Sequence, residues 1–210
     1  MPAHDWEERY AQDFLPWDTA VPDPSLVEFV ADRRLPTGRA LDVGCGTGTH
    51  ALWLAGQGYD VLGVDISTRA LARARARAAD ARPAAPIRFE ALDFLSQQPG
   101  GGPFDFVFDR GVFHVFDAPD ERARFAAQVA RCLAPSGVWV SLIGSTEGPP
   151  REEGPPRRSA RDIANAIEPV LEIVELGPAQ FDRDAPMPKQ AWRCVARLRT
   201  HPAQPSTTRA

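Results

Sequence analysis

Residues Ala40–Thr49, ALDVGCGTGT, decide how the rest of the chain is read. Ala40, Leu41 and Val43 have the character of a short buried strand, interrupted by Asp42. Glycine then stands at every second position, Gly44, Gly46 and Gly48, and His50-Ala51-Leu52-Trp53-Leu54-Ala55 follows with the composition of a helix. A strand that runs through glycines into a helix sets bare backbone N–H groups against a ligand. Residues without Cβ allow close approach, and the first turn of a helix leaves its N–H groups without partners.

Downstream, strands and helices alternate. Asp60–Val64 reads as a second strand ending at Asp65, and Ser67 is placed to cap a helix reaching to about Asp80. Ile87–Ala91 is a third strand leading into Leu92-Asp93-Phe94, and Phe104–Phe108 a fourth ending at Asp109. Asp120–Leu133 is helical, Pro135-Ser136-Gly137 turns into a fifth strand Val138–Ile143, and Ala160–Glu168 is a helix. Leu171–Leu176 and Ala191–Leu198 are the last strands, with no helix between them. The pattern predicts an α/β fold: a Rossmann-like, doubly wound, mostly parallel seven-stranded sheet, helices on both faces, and one antiparallel edge strand. Residues 1–38 are a helical and aromatic lead-in, with Trp6, Phe14 and Trp17, and Ser25 stands where it would cap a helix Leu26–Arg33. The division expected is a cap over the site at 1–38, a domain at 39–199 with a mobile loop at 144–158, and a flexible tail at 200–210.

The 210 residues suffice for one domain with a real core. A formal charge of −4 argues against a nucleic-acid partner, since such proteins present a basic face; the arginines at 69, 73, 75 and 77 are a local run. No apolar stretch approaches the roughly 18–20 residues of a membrane span, and MPAHDWEERY has the character of neither a signal nor a transit peptide. Cys45, Cys132 and Cys194 lie far apart, which fits reduced thiols in a cytoplasmic protein and offers no metal site. A monomer or weak homodimer is expected.

In a sheet of this kind ligands bind beyond the carboxyl ends of the strands, where the winding reverses. Asp42, Gly44, Asp65, Asp93 and Asp109 all fall at or beyond those ends. Asp65, seventeen residues after Gly48, is placed to accept both hydroxyls of an adenosine ribose, or else to cap the following helix. Ile66 would lie over one adenine face. Asp93-Phe94 offers either a carboxylate and an apolar wall to the adenine or a plain turn. The glycine spacing separates cofactor classes. A dinucleotide turn reads GxGxxG and meets a pyrophosphate, whereas here Asp42 leads the turn and no Lys or Arg stands near it. A ligand with a cationic amino group and a carboxylate, but no phosphate, fits better; S-adenosylmethionine, with S-adenosylhomocysteine as its product, is such a ligand.

LDVGCGTGT (41–49), GVDIS (63–67), EALDF (90–94) and FDFVFDRG (104–111) together resemble the motif series of the class I methyltransferases. More narrowly the chain resembles the thiopurine methyltransferase branch, with its plant halide/thiol and tellurite-resistance relatives. That branch has an N-terminal Trp followed by a PWD stretch, here Trp6 and Pro16-Trp17-Asp18, and a strand-end Asp-Arg-Gly, here Asp109-Arg110-Gly111. The resemblance implies that Trp17 helps cover the cofactor, that Gly44, Cys45 and Gly46 lie near its methionine part, and that Asp109 belongs to the cofactor wall. It also implies that Arg110 and the residues after it face a small-molecule methyl acceptor. Read without the family, Trp6, Phe14 and Trp17 are a hydrophobic plug, Arg110 pairs with an acid, and His114 is a core residue.

The loop Asp109-Arg110-Gly111-Val112 lacks the paired prolines that shape a slot for an amide or nucleobase amine, and the dispersed cysteines disfavour arsenite. A sulfonium departs without acid help, so transfer is an in-line displacement in which the protein aligns and desolvates. A thiol is partly ionised at neutral pH, and Arg110 is the candidate to raise that fraction. A phenol or hydroxyl acceptor would require Asp109 or His114 to take a proton. The expectation is a methyltransferase acting on a small soft nucleophile, a thiol or heteroaromatic sulfur or nitrogen. The alternatives are an O- or N-methyltransferase of a specialised metabolite and a non-catalytic S-adenosylmethionine-binding regulator.

Overall fold

The computed structural model describes residues 5–13, 15–33, 37–149, 154–183 and 188–200. Phe14, the centre of the 144–158 loop at 150–153, and the tail from 201 onward lie outside the described residues. The chain forms α1 (Asp5–Ala11), α2 (Pro24–Arg33), β1 (Arg39–Val43), α3 (Thr49–Gly56), β2 (Asp60–Asp65), α4 (Thr68–Ala81) and β3 (Ile87–Ala91). Then come β4 (Phe104–Arg110), a 3-10 turn at Phe113–Val115, α5 (Pro119–Cys132), β5 (Leu133–Gly144), α6 (Ala160–Ile167), β6 (Glu172–Phe181) and β7 (Lys189–Arg197).

One seven-stranded sheet has the order β3-β2-β1-β4-β5-β7-β6. The first five strands in the row are parallel; β7 runs antiparallel to both β5 and β6. The antiparallel pair expected at one edge is therefore β6 and β7, with β6 outermost. From β1 the chain winds outward through β2 to β3, then returns to place β4 on the other flank of β1. The carboxyl ends of β1 and β4 thus stand side by side, which is the crevice where such sheets bind ligands.

Both faces of the central strands are covered, so they read as nearly unbroken apolar runs. Leu26, Phe29, Ala51 and Leu54 from α2 and α3 pack on Ala40, Val61, Phe106 and Phe108. On the opposite face Phe125, Val129, Ile163 and Ile167 from α5 and α6 pack on Leu41, Val43, Val107 and Trp139. Ser67 caps α4 as expected, its side chain accepting from the Ala70 N–H at 3.1 Å. At α2 the expectation is corrected: Asp23 caps, accepting from the Ser25 N–H at 2.9 Å, and the helix begins at Pro24, whose fixed φ suits a first helical position. Pro135-Ser136-Gly137 does not separate helix from strand. A register shift between Phe104 and Phe106 lets β5 start at Leu133, directly after α5.

Candidate active site

The carboxyl ends of β1, β2 and β4 open into a cleft of about 1450 Å³. The turn after β1 forms its floor. Gly44 and Gly46 have φ of 65° and 54°, the left-handed region in which a side chain is strained. A Cβ on Gly44 would also strike Val112 Cγ2 at 2.2 Å, and one on Gly46 would meet the Tyr10 hydroxyl at 2.8 Å. Both positions thus present bare backbone because two neighbours close on them. Cys45 is turned inward and buried, its thiol pushed well above the usual range by that burial, while its backbone N–H donates to Val64 O at 3.0 Å.

Asp42, Gly44, Cys45, Gly46, Asp65, Ile66, Asp93, Phe94, Arg110, His114 and Trp17 all border this cleft, so nearly every residue singled out from sequence is brought together. Asp65 Oδ2 accepts from the Gly46 N–H and Oδ1 from the Ser67 N–H, both at 2.8 Å. Burial raises its pKa against those hydrogen bonds. Asp65 thus braces the start of α4, as its capping reading has it, and keeps lone pairs to spare. Ile66 beside it is 45% exposed, an apolar surface left open over the cleft. Asp93 shapes its own turn, accepting from the Leu95 N–H at 3.0 Å and the Ser96 hydroxyl at 2.7 Å. Phe94 is buried against Phe125 with ring centroids 5.2 Å apart.

Asp42 is 1% exposed, and its Oδ2 has no hydrogen-bond partner. Burial, with Asp109 and Asp65 nearby, holds its carboxyl well above the usual carboxylate range. His50, which sequence reasoning passed over, faces the same floor with Nε2 buried and unpartnered, and burial together with Arg110 depresses its pKa to about 3. A His one residue into the helix that follows a glycine turn is the signal that marked it.

The lead-in closes over this floor. Glu7 accepts from the hydroxyls of Ser67 at 2.5 Å and Thr68 at 2.9 Å, fastening α1 to the start of α4. Trp17 meets Trp6 edge-on with centroids 5.2 Å apart and donates from Nε1 to the Tyr10 hydroxyl at 3.4 Å. Asp18 Oδ2 accepts from the Thr47 hydroxyl at 2.6 Å, which ties the PWD stretch to the glycine turn. Arg77 of α4 steadies that turn from below, donating to Thr47 O at 3.1 Å and to the Thr49 hydroxyl at 2.9 Å. Tyr10 and Asp18 were not singled out as contacts of the turn, because these ties join segments far apart in sequence.

At the end of β4 the structure places Asp109 away from the cleft, and it agrees with the alternatives left open for His114, a core residue, and Arg110, paired with acids. Asp109 is fully buried and does not border the cleft: Oδ1 accepts from the Val112 and Phe113 N–H groups, each at 3.2 Å, and Oδ2 from Trp139 Nε1 at 2.9 Å. Burial pushes its pKa up to about 6 against those bonds, and its work is to fold the 111–113 turn. His114 is 4% exposed and accepts at Nδ1 from the Gly144 N–H at 2.8 Å. A ring that accepts at Nδ1 carries its proton on Nε2, so that nitrogen is a donor and not a base. Arg110 borders the cleft and pairs with two acids. Its Nε donates to Asp23 at 2.9 Å, Nη2 to Asp182 at 2.7 Å and Nη1 to Trp17 O at 3.2 Å, with the guanidinium 4.8 Å above the Phe181 ring.

A family profile described as a methyltransferase domain matches residues 40–137, from β1 into β5. A probable thiol methyltransferase of Arabidopsis thaliana is 32% identical over 151 residues, covering 72% of this chain and 65% of the relative. An uncharacterised methyltransferase of Schizosaccharomyces pombe is 32% identical over 106 residues, 50% of this chain and 72% of that protein. The chain belongs to the class I methyltransferases. Within that family, whose cofactor is S-adenosylmethionine, the plant thiol and thiocyanate methyltransferases are among its relatives, and the chain spans 60–65% of their length. A solved structure described by its work on converting a disulfide into a thioacetal during echinomycin biosynthesis superposes on this class I methyltransferase with a TM-score of 0.74. It is 27% identical, with 87% of this chain and 85% of that one covered. Among the described residues there is no helix long and apolar enough to cross a membrane, and no cluster of metal-ligating side chains.

Proposed function

We propose that this protein transfers a methyl group from S-adenosylmethionine to a small-molecule thiol or heteroaromatic sulfur or nitrogen. The floor of the cleft fits that cofactor: an unpartnered acidic oxygen on Asp42, bare backbone at Gly44 and Gly46, a strand-tip carboxylate at Asp65 and the open apolar face of Ile66. Asp42 holds the amino group, Asp65 the ribose hydroxyls, and Ile66 and Phe94 flank the adenine, with Asp93 at its edge. Tyr10 stands over Gly46, and Trp17 is hydrogen-bonded to Tyr10. When bound, S-adenosylmethionine supplies a sulfonium-activated methyl group.

The choice of acceptor is carried by one observation: neither residue offered as a proton acceptor can serve as one. Asp109 lies behind the cleft wall with both oxygens engaged, and His114 has its accepting nitrogen occupied by Gly144. An acceptor already partly ionised at neutral pH has no need of either, and a thiol near pKa 8.5 qualifies where an ordinary alcohol does not. The thiol methyltransferase among the relatives agrees with this reading. Arg110 contributes by position: it holds Trp17 and the end of β6 against the end of β4, which sets the width of the acceptor side.

The test is a panel of thiols, selenols, halides, phenols and heterocycles scored by S-adenosylhomocysteine formed. Turnover is expected to be highest with thiols. A phenol or alcohol turned over faster than every thiol would overturn the choice of acceptor, and no product with any compound would overturn the activity.

A further inference from the structure

Seven buried side-chain polar atoms lack a hydrogen-bond partner among the described residues, and two of them, Asp42 Oδ2 and His50 Nε2, belong to residues bordering the cleft. Leaving such an atom unpartnered costs about 1–3 kcal/mol, so a pair of them bordering one cleft marks a place for a ligand that satisfies both. They flank one feature, the first turn of α3. The Ala51 N–H of that turn acts to lower the Asp42 pKa against its burial, which places the carboxyl group at the turn. His50 is the second residue of the helix, and its ring packs on Phe108 with centroids 5.1 Å apart.

The two atoms ask for different partners. Asp42 Oδ2 sits among carboxylates, and a cationic donor is the partner that best offsets the burial and like charge raising its pKa. His50 is kept neutral by its burial and by the Arg110 guanidinium, which is itself paired with Asp23 and Asp182 and donates to Trp17 O. A neutral imidazole N–H at the positive end of a helix is suited to a carboxylate. An ammonium beside Asp42 and a carboxylate beside His50 are the two charges of an α-amino acid.

We propose that His50 positions the amino-acid end of the cofactor, its Nε2–H donating to the α-carboxylate while Asp42 Oδ2 accepts from the α-ammonium. This rests on the S-adenosylmethionine reading given above. It assigns His50, outside the family motifs read from the sequence, a contact that fixes where the sulfonium end of the ligand lies.

Calorimetric titration of the wild type, His50→Ala and His50→Gln with S-adenosylhomocysteine and with 5′-methylthioadenosine tests it. The second ligand has the same nucleoside and sulfur but no amino-acid end. His50→Ala is expected to weaken S-adenosylhomocysteine about 10- to 100-fold, the worth of one hydrogen bond to a charged group, and to leave 5′-methylthioadenosine within about twofold. His50→Gln is expected to recover most of the loss, because its amide nitrogen reaches where Nε2 lies. Decarboxylated S-adenosylhomocysteine, which keeps the ammonium, is expected to bind all three proteins alike.

Unchanged affinity of His50→Ala for S-adenosylhomocysteine, or equal losses for both ligands, would overturn the proposal and leave the cofactor reading standing. Sensitivity of the decarboxylated ligand to His50 would overturn the assignment to the carboxylate. A wild type that binds none of the ligands would overturn the cofactor reading and this proposal with it. Should His50→Ala fail to fold, His50→Leu, which fills the space without an N–H, gives the same comparison against His50→Gln.

Discussion

The Gly46 N–H donates to Asp65 Oδ2 at 2.8 Å, so the turn after β1 and the tip of β2 are joined by the side chain proposed to hold the ribose. Through its other oxygen Asp65 also fixes the Ser67 N–H at the start of α4. Binding floor and strand tips are thereby one assembly.

Asp65→Ala is expected to lower affinity for S-adenosylhomocysteine by about 100-fold, since two hydrogen bonds from hydroxyls to a charged group are worth roughly 1.5 kcal/mol each. The melting temperature should fall as well, because the Gly46 and Ser67 N–H groups lose their acceptor. Calorimetry and a thermal melt read the two effects separately, and unchanged affinity would refute the role.

Arg110 is 11% exposed at its side chain and is paired with Asp23, at 1%, and Asp182, at 19%. Removing it strands two largely buried carboxylates, a loss on the order of 3–5 kcal/mol. Arg110→Ala is expected to lower stability and turnover together. Arg110→Lys should rescue little, because one ammonium cannot meet three partners spread around a planar guanidinium. Denaturant titration checks this; full stability in Arg110→Ala would show that the clasp contributes nothing.

Asp109 gives a pH dependence of unusual sign. Burial raises its folded pKa to about 6, above the roughly 3.9 of a free aspartate, so the native state binds this proton more tightly than the unfolded chain. Its contribution to stability is therefore complete below about pH 4, declines as pH rises to about 6 and is then flat, a total on the order of 3 kcal/mol. Other acids, such as Asp117 and Asp162, have pKa values lowered by hydrogen bonds and act in the opposite direction, so the contribution of Asp109 is read as a difference between proteins. Between pH 4 and 6 the wild type is expected to lose stability relative to Asp109→Asn, and above pH 6 the two curves should run parallel. Parallel curves throughout would contradict the shift.

Glu7 fastens α1 over the cleft through Ser67 and Thr68. Glu7→Ala is expected to weaken cofactor binding by about fivefold, in line with a net loss near 1 kcal/mol, and to speed hydrogen exchange in residues 5–13. Unaltered exchange there would show that α1 is held by its aromatic contacts instead.

The strands were legible because the central ones are buried on both faces: LDV, VLGV and FDFVF read as apolar runs, and the glycine and aspartate at their tips marked the ligand side. Asp42, Gly44, Gly46, Asp65 and Ile66 were legible for the same reason, since position along a strand fixes where a strand end points. What sequence did not disclose were relations across long separations. The partners of Arg110 lie 87 and 72 residues away, and nothing local distinguishes a cation aimed at substrate from one clasped between two carboxylates. Asp109 misled for a related reason: a strand-end acid faces either the cleft or the sheet, and Trp139 of the neighbouring strand drew it inward. The α2 cap lies two residues before Ser25, because Asp followed by Pro is a helix start in its own right.

The central claim is that an adenosyl amino acid occupies the crevice between β1 and β4. Isothermal titration of the wild type with S-adenosylmethionine and, in parallel, with NAD tests it most directly. Saturable one-to-one binding of S-adenosylmethionine, lost in Asp65→Ala, with no heat from NAD is the result expected. Binding of NAD in its place, or no binding of S-adenosylmethionine at millimolar concentration, would contradict it.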